Sequence, residues 1–255
     1  MTSSSSVETD QARLEREASF HDTRFAEDTR AEADKFYAVA RASFDYYRER
    51  TLHEVRGLDV LEYGCGIGAS AFDVAELGGR ACGIDISPTA ITMAEERAAE
   101  RGVSAGTRFS VMNAEALDFP DASFDRVCGS GILHHLDLDR AYAEIRRVLR
   151  PGGYAVFLEP LGHNPLINWY RRRTPHLRTE DEHPLMRRDL DAARKTFARV
   201  DPRFFDLTTL AAVPLRRTRA FGAAAKFTAA LDRVLLSSHS PLRHQAWVVV
   251  LELGA

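Results

Sequence analysis

The run VLEYGCGIGAS, Val60 to Ser70, constrains this chain more than any other stretch. A strand-like apolar pattern ends at Gly64, Gly66 and Gly68 and passes at once into a helical pattern. Glycines at that junction permit a tight turn and let a ligand lie directly against the backbone. Asp85 stands at the tip of the next apolar run, RACGIDIS, where an acid can accept both hydroxyls of a ribose. Strand, glycine turn, helix, strand and acid in that order predict a nucleotide-type ligand at one edge of a parallel sheet.

The rest of the chain fits such a sheet. Helix SAFDVAELG follows the glycines, and PTAITMAEERAAERG follows the acid, with Ser87-Pro88 as its N-cap and first-turn proline. TRFSVMNAEAL and SFDRVCGSGI read as the third and fourth strands. Helix LDRAYAEIRRVLR stops at Pro151-Gly152-Gly153, and YAVFLEP is the fifth strand. Alternation of this kind predicts βαβ units with helices on both faces of the sheet. After Glu159 the rhythm lapses for EPLGHNPLINWYRRRTPHLRTEDEHPL and then resumes with helix LMRRDLDAARKTF. A strand RFFDLTTL, a helix to about Leu236 and a last strand RHQAWVVVLEL complete the pattern. Ahead of the sheet, residues 1–10 are Ser-rich and expected to lack fixed structure. Residues 11–55 read as a helical cap, with Phe36, Tyr37, Phe44 and Tyr47 at helical spacing as packing residues. Residues 56–255 then form one α/β domain with an insertion at about 160–190.

Composition narrows the function. A formal net charge of -3 gives no global reason to expect nucleic acid or membrane as partner. Cys65, Cys82 and Cys128 form no CxxC pair, so no zinc site or disulfide framework is expected, and no metal. No secretory signal pattern and no apolar run of about 20 residues is present, which predicts a cytoplasmic protein.

Two ligands compete for the glycine loop. A nicotinamide dinucleotide calls for G-x-G-x-x-G, and Ala69 stands where the third glycine of that fingerprint would be. Glu62, two residues before Gly64, places a carboxylate beside the loop, which suits a cationic ligand better than a pyrophosphate. With LEYGCGIG, GIDIS, NAEALDFPDASFDRV, GSGILHHL and VLRPGGYAVFLEP in that order, the chain resembles the class I S-adenosylmethionine-dependent methyltransferases from about Asp59 to Pro160. It looks most like the small-molecule enzymes related to ubiquinone and sterol methyltransferases. The resemblance implies a Rossmann-like sheet of seven strands, mostly parallel, with the last strand antiparallel.

It also implies roles for individual residues. Glu62 and the Gly64–Gly66 backbone would hold the methionine end of the cofactor, with Cys65 and Gly68 in the same loop. Asp85 would bind the ribose, and Ile86 would pack on the adenine. Asn113 stands where the family has an Asp; its amide oxygen can accept the adenine amino group. The backbone of Ala114 would serve the ring nitrogen, beside Glu115, and Ser130 with Gly131 would close over the methionine portion. Taken singly, Ile86 could be core, Asn113 a turn residue and Ser130-Gly131 a helix cap.

Methyl transfer from a sulfonium is an in-line displacement, so a protein mainly aligns the acceptor, excludes water and removes a proton where the acceptor requires it. Candidate groups belong at the tips of the fourth and fifth strands. His134 and His135 follow the fourth strand, about 100° apart on a helical turn. One is therefore expected to face the cleft and the other the protein or solvent, with His134 the preferred base. Glu159 ends the fifth strand and is expected to point into the cleft. In the insertion, Asn164-Pro165 predicts a helix start, Leu166, Ile167, Trp169 and Tyr170 an apolar wall, and Arg171 to Arg173 an outer face. His163, Tyr170, His176 and His183 read as structural or substrate-shaping, and His21 as a capping or ligand-orienting residue on the cap.

The expected activity is methyl transfer from S-adenosylmethionine, leaving S-adenosylhomocysteine, to a small, mostly apolar metabolite such as secondary metabolism supplies. A NAD(P)-dependent oxidoreductase and a cofactor-binding protein without methyl transfer are the alternatives. Oligomeric state stays open, with a homodimer one possibility.

Overall fold

The protein is described by a computed structural model covering residues 3–27, 39–175, 179, 182–237 and 240–255, with the side chains of the first helix covered over 11–23. Phe36, Tyr37 and His176 lie outside the described residues. Seven strands form one sheet: β1 (Asp59–Tyr63), β2 (Arg80–Asp85), β3 (Thr107–Val111), β4 (Phe124–Ser130), β5 (Leu149–Pro160), β6 (Arg199–Phe205) and β7 (Val248–Gly254). Their order is β3-β2-β1-β4-β5-β7-β6. β7 runs antiparallel to both neighbours, while the β3-β2-β1-β4-β5 pairings are parallel. The expected sheet, with its antiparallel last strand, is the one observed.

Eight helices accompany the sheet among the described residues: α1 (Ser3–Glu27), α2 (Arg41–Leu52), α3 (Ala69–Glu76), α4 (Pro88–Glu100), α5 (Leu138–Val148), α6 (Pro165–Arg173), α7 (Arg187–Thr196) and α8 (Phe221–Leu235). Successive strand residues point to opposite faces, which divides the core in two. Leu61, Val127, Phe157 and Leu251 bury themselves against Tyr142 and Ile145 of α5 and Leu190 of α7. Val60, Cys128, Val156 and Val250 pack on the other side with Tyr47 of α2 and Val74 of α3. Tyr47 is thus the packing residue its spacing suggested, whereas Phe44 is 37% exposed.

Local chemistry sets several helix starts. Ser87 accepts from the Ala90 N–H with Pro88 in the first turn, and Asn164 accepts from the Leu166 and Ile167 N–H groups ahead of α6. These are the caps read from the sequence. Elsewhere the boundaries move. α1 begins at Ser3, so residues 3–10 carry a helical backbone rather than none. α5 ends at Val148, and Leu149 and the Pro-Gly-Gly that follows it belong to β5.

The sixth strand is Arg199–Phe205, not RFFDLTTL. Pro202 sits inside it opposite Leu251, which is tolerated because β6 is an edge strand. Beyond Phe205, Asp206 takes a left-handed φ of 65°. Asp232 of α8 then accepts from the Leu207, Thr208 and Thr209 N–H groups at 3.1, 2.7 and 3.3 Å. Donors that a continuing strand would give to a ladder go to one carboxylate instead.

Candidate active site

The strand order reverses between β1 and β4, and ligands of open α/β sheets bind outside the carboxyl ends of strands at such a point. There the glycine loop turns into α3. Gly64 has φ 67°, and a Cβ on it would come within 2.7 Å of the Ile132 side chain at the tip of β4. Gly68, the N-cap of α3, has φ 86°, and a Cβ there would meet Phe72 at 2.8 Å. Both positions therefore require glycine.

Two carboxylates fix this loop. Asp85 accepts from the Gly66 N–H at 2.8 Å through one oxygen and from the Ser87 N–H at 3.0 Å through the other. Glu62 is buried and accepts from the Ser70 and Ala71 N–H groups at 3.0 and 2.8 Å. Burial pushes its carboxyl up to about 7, although those backbone donors favour the charged form. Both Glu62 oxygens are thus already committed to the first turn of α3. The Cys65 thiol is buried and pushed up by desolvation, so it is a packing group here.

The remaining expected cofactor contacts divide. Ile86 is half-buried after β2, and Ser130 and Gly131 are exposed at the tip of β4. Asn113 accepts from the Glu115 N–H at 2.9 Å through its amide oxygen, closing a local turn. Ala114 accepts a hydrogen bond from the Tyr63 hydroxyl. Glu115 is turned elsewhere: both oxygens lie 2.7 Å from the guanidinium of Arg13, and one accepts from the Asp137 N–H at 2.8 Å. Its work is to hold α1 and the start of α5.

α1 lies over the sheet edge. Asp22 accepts from the Ser87 hydroxyl and from the Thr89 N–H at 3.3 Å, beyond β2. Arg13 donates to the His135 carbonyl at 3.1 Å, beyond β4. The helix therefore spans the ends of β2 and β4, with β1 and the glycine loop between them.

Beneath it sit the two histidines. His134 and His135 occupy a 3₁₀ turn, Leu133–His135, and both are buried, their rings 4.2 Å apart. Neither faces solvent, because α1 covers the one that the helical spacing would have turned outward. His134 Nδ1 is 2.7 Å from Glu159, and its Nε2 lies 3.7 Å from Glu182. Glu159 is fully buried and also accepts from the Ile132 and Leu133 N–H groups at 3.0 and 2.9 Å. It therefore points into the loop after β4 rather than freely into a cleft. His135 Nδ1 approaches Glu17 of α1 at 3.2 Å, and His21 Nε2 lies 3.5 Å from the same oxygen.

The structure thus brings His21, His134, His135 and Glu159 together, four residues singled out in the sequence. Glu17, Arg13 and Glu182 complete the group and were missed. Arg13, Glu17 and His21 recur every four residues, which places them on one helical face, and that spacing was the available signal.

The insertion is only partly as expected. Leu161 pairs with Leu185, and the His183 N–H donates to the His134 carbonyl at 2.8 Å, which docks the far end of the loop beside the histidines. Of the expected apolar wall only Ile167 is buried; Leu166 is 52% and Trp169 47% exposed, with Arg173 stacked 4.2 Å over the indole. Tyr170 is half-buried. Arg171 turns inward to Glu182 at 2.7 Å instead of facing out. His163 accepts from the Arg187 N–H at 3.1 Å and serves α7, while the His183 side chain is exposed.

Residues 61–157, which hold the glycine loop, Asp85 and the histidine turn, match the methyltransferase domain family. That segment is therefore a methyltransferase domain. Aklanonic acid methyltransferase DauC of Streptomyces sp. strain C5 is 40% identical over 111 residues, 42% of this chain and 50% of that protein. A sterol 24-C-methyltransferase of Gibberella zeae, ERG6B, is 32% identical over 137 residues, 53% of this chain and 34% of the relative. The chain spans half or less of the length of these curated relatives. Among solved structures, geranyl diphosphate C-methyltransferase from Streptomyces coelicolor A3(2), in complex with geranyl diphosphate and S-adenosyl-L-homocysteine, superposes with a TM-score of 0.61. That likeness covers 84% of this chain and 80% of the other at 19% identity. The [4+2]-cyclase SpnF superposes at 0.56, covering 81% and 77% at 22% identity. Both likenesses establish the methyltransferase fold. Solved structures of this fold hold S-adenosylmethionine or S-adenosyl-L-homocysteine, and the comparisons favour S-adenosylmethionine over a nicotinamide dinucleotide as the cofactor.

Proposed function

We propose that the protein transfers the methyl group of S-adenosylmethionine to a small, mostly apolar metabolite and releases S-adenosylhomocysteine. The observation that carries this reading is the glycine loop, closed by Asp85 at the β1–β4 switch point within the segment that matches the methyltransferase domain. Small acceptors are the substrates named for relatives that act on sterols and aklanonic acid. No nucleic-acid partner is proposed, given the chain's slight negative charge. Unpaired Cys65, Cys82 and Cys128 suit a reducing cytoplasm, and among the described residues no helix is long and apolar enough to cross a membrane.

In this reading the cofactor supplies an activated methyl group. The Gly64–Gly66 backbone receives its methionine end, Glu62 holding that loop in shape. Asp85 accepts the ribose hydroxyls, and Ile86, Asn113 and Ala114 flank the adenine. Ser130 and Gly131 border the methionine portion. Residues 11–55 act as a cap and the insertion at about 160–190 as a second cover, with Trp169, Tyr170 and His183 nearest the acceptor's entry. The loop and the two covers would align the acceptor atom with that methyl group and keep water out. Where the acceptor is a hydroxyl, its proton goes to His134 Nε2. Glu159, 2.7 Å from Nδ1, orients the imidazole so that Nε2 is the nitrogen available to the acceptor's proton.

Incubating the protein with methyl-labelled cofactor and metabolite extracts, followed by mass spectrometry, tests this reading. A labelled small molecule together with S-adenosylhomocysteine is the expected result. Tight cofactor binding with no labelled product across broad extracts would overturn methyl transfer. His134→Ala is expected to lower turnover about 10²–10⁴-fold on a hydroxyl acceptor, with cofactor affinity nearly unchanged. Turnover that persists would leave alignment alone as the source of rate.

A further inference from the structure

We propose that Glu17, His21 and His135 bind one divalent transition-metal ion of the zinc class, which fastens α1 across the carboxyl edge of the sheet. Their ligand atoms, one per residue, all lie within 4.8 Å of one another. Glu17 Oε2 stands 3.2 Å from His135 Nδ1 and 3.5 Å from His21 Nε2. A tetrahedral ion with bonds of about 2.0–2.2 Å sets neighbouring ligands about 3.3–3.6 Å apart, so those separations need little adjustment. Glu17 and His21 are four residues apart on one helix, the spacing at which two side chains on one face share an ion. His135 comes from across the sheet edge. Two imidazoles and a carboxylate leave a fourth position open and suit Zn²⁺, with Co²⁺ as its spectroscopic substitute.

A second observation points the same way. Glu17 is 95% and His135 92% buried, from exposures of 5% and 8%. Neither oxygen of Glu17, nor Nδ1 of His135, makes a hydrogen bond of acceptable geometry among the described residues. A buried carboxylate with both oxygens unsatisfied is costly unless a cation meets it. Arg13, one turn before Glu17 on α1, is committed to Glu115, so it does not supply that charge. His21 retains about 20% side-chain exposure, which leaves a route for an ion from solvent. His134 belongs to the separate contact with Glu159 and is not required. The absence of paired cysteines gave no hint of this site, because its ligands are a hundred residues apart in the chain.

Zn²⁺ is the probe. The full chain is loaded with Zn²⁺, dialysed against metal-free buffer and analysed for metal per chain, with affinity read by chelator competition. One ion per chain is expected, and Zn²⁺ should raise Tm. His21→Ala should weaken binding at least tenfold and abolish the Zn²⁺-dependent rise in Tm. Glu17→Gln should weaken binding similarly, and the exposed His53→Ala should leave it unchanged. Bound Co²⁺ should give the intense visible absorption of a four- or five-coordinate ion. Far-UV circular dichroism and S-adenosylhomocysteine binding confirm that each variant is folded. Less than one tightly held ion per chain, or equal affinity in wild type, His21→Ala and Glu17→Gln, would overturn the proposal.

Discussion

Two buried glutamates at the ends of parallel strands do the same mechanical work in different ways. Glu62 in β1 accepts two backbone N–H groups from Ser70 and Ala71, eight and nine residues further on. Glu159 in β5 accepts two from Ile132 and Leu133, 27 and 26 residues earlier, and a third contact from His134. The first closes the glycine loop on its own helix, at the proposed cofactor end. The second ties the loop of one strand to the tip of another, at the proposed acceptor end. A local device can be read from adjacent letters, whereas a cross-strand device exists only once the sheet has formed.

Breaking the second device should have the largest effect. Glu159→Ala strands two buried backbone donors and a buried imidazole, and it is expected to cost about 3 kcal/mol or more, read as a fall in Tm and in the denaturation midpoint. A loss under about 1 kcal/mol would mean that water or Glu182 replaces it.

Asp85→Ala probes the cofactor end. It removes both the acceptor that holds the Gly66 N–H and the proposed ribose partner, and calorimetry with S-adenosylhomocysteine should show affinity reduced about 10–100-fold. Stability should fall less than in Glu159→Ala, because the loop faces solvent.

The pH dependence of stability sharpens the comparison further. Burial raises Glu62 to about 7 from an ordinary 4.5, and Asp206 to about 6 from 3.8. Both bind a proton more tightly when folded than unfolded, so Glu62 makes the fold more stable as pH falls from about 7 to 4.5, and Asp206 as it falls from about 6 to 3.8. Glu62→Gln should flatten the part of that slope between about 7 and 5. The smallest effect belongs to Trp169→Ala. The indole is half exposed, so stability should change by no more than about 0.5 kcal/mol, and a raised acceptor KM would mark it as part of the acceptor's path.

Much of this molecule was legible beforehand. The strand alternation, the glycine loop with Asp85, and the caps at Ser87 and Asn164 all depend on side chains acting on backbone within a few residues, and all appear where the sequence put them. The sixth strand was misplaced because its end depends on Asp232, reached from another helix. Trp169 was misread because apolar character alone does not say which face of α6 meets the protein.

The sequence by itself determined the sheet, the glycine loop and the class of ligand, since period-two and helical patterns and glycine conformations are properties of neighbouring residues. Only the tertiary structure decided what surrounds His134 and His135. Glu17 and His21 come from α1, Glu159 from β5 and Glu182 from the insertion, and sheet closure brings their carboxylates and imidazoles within a few ångströms. Burial then makes each of those contacts count, because an unmatched charge there has no water to turn to.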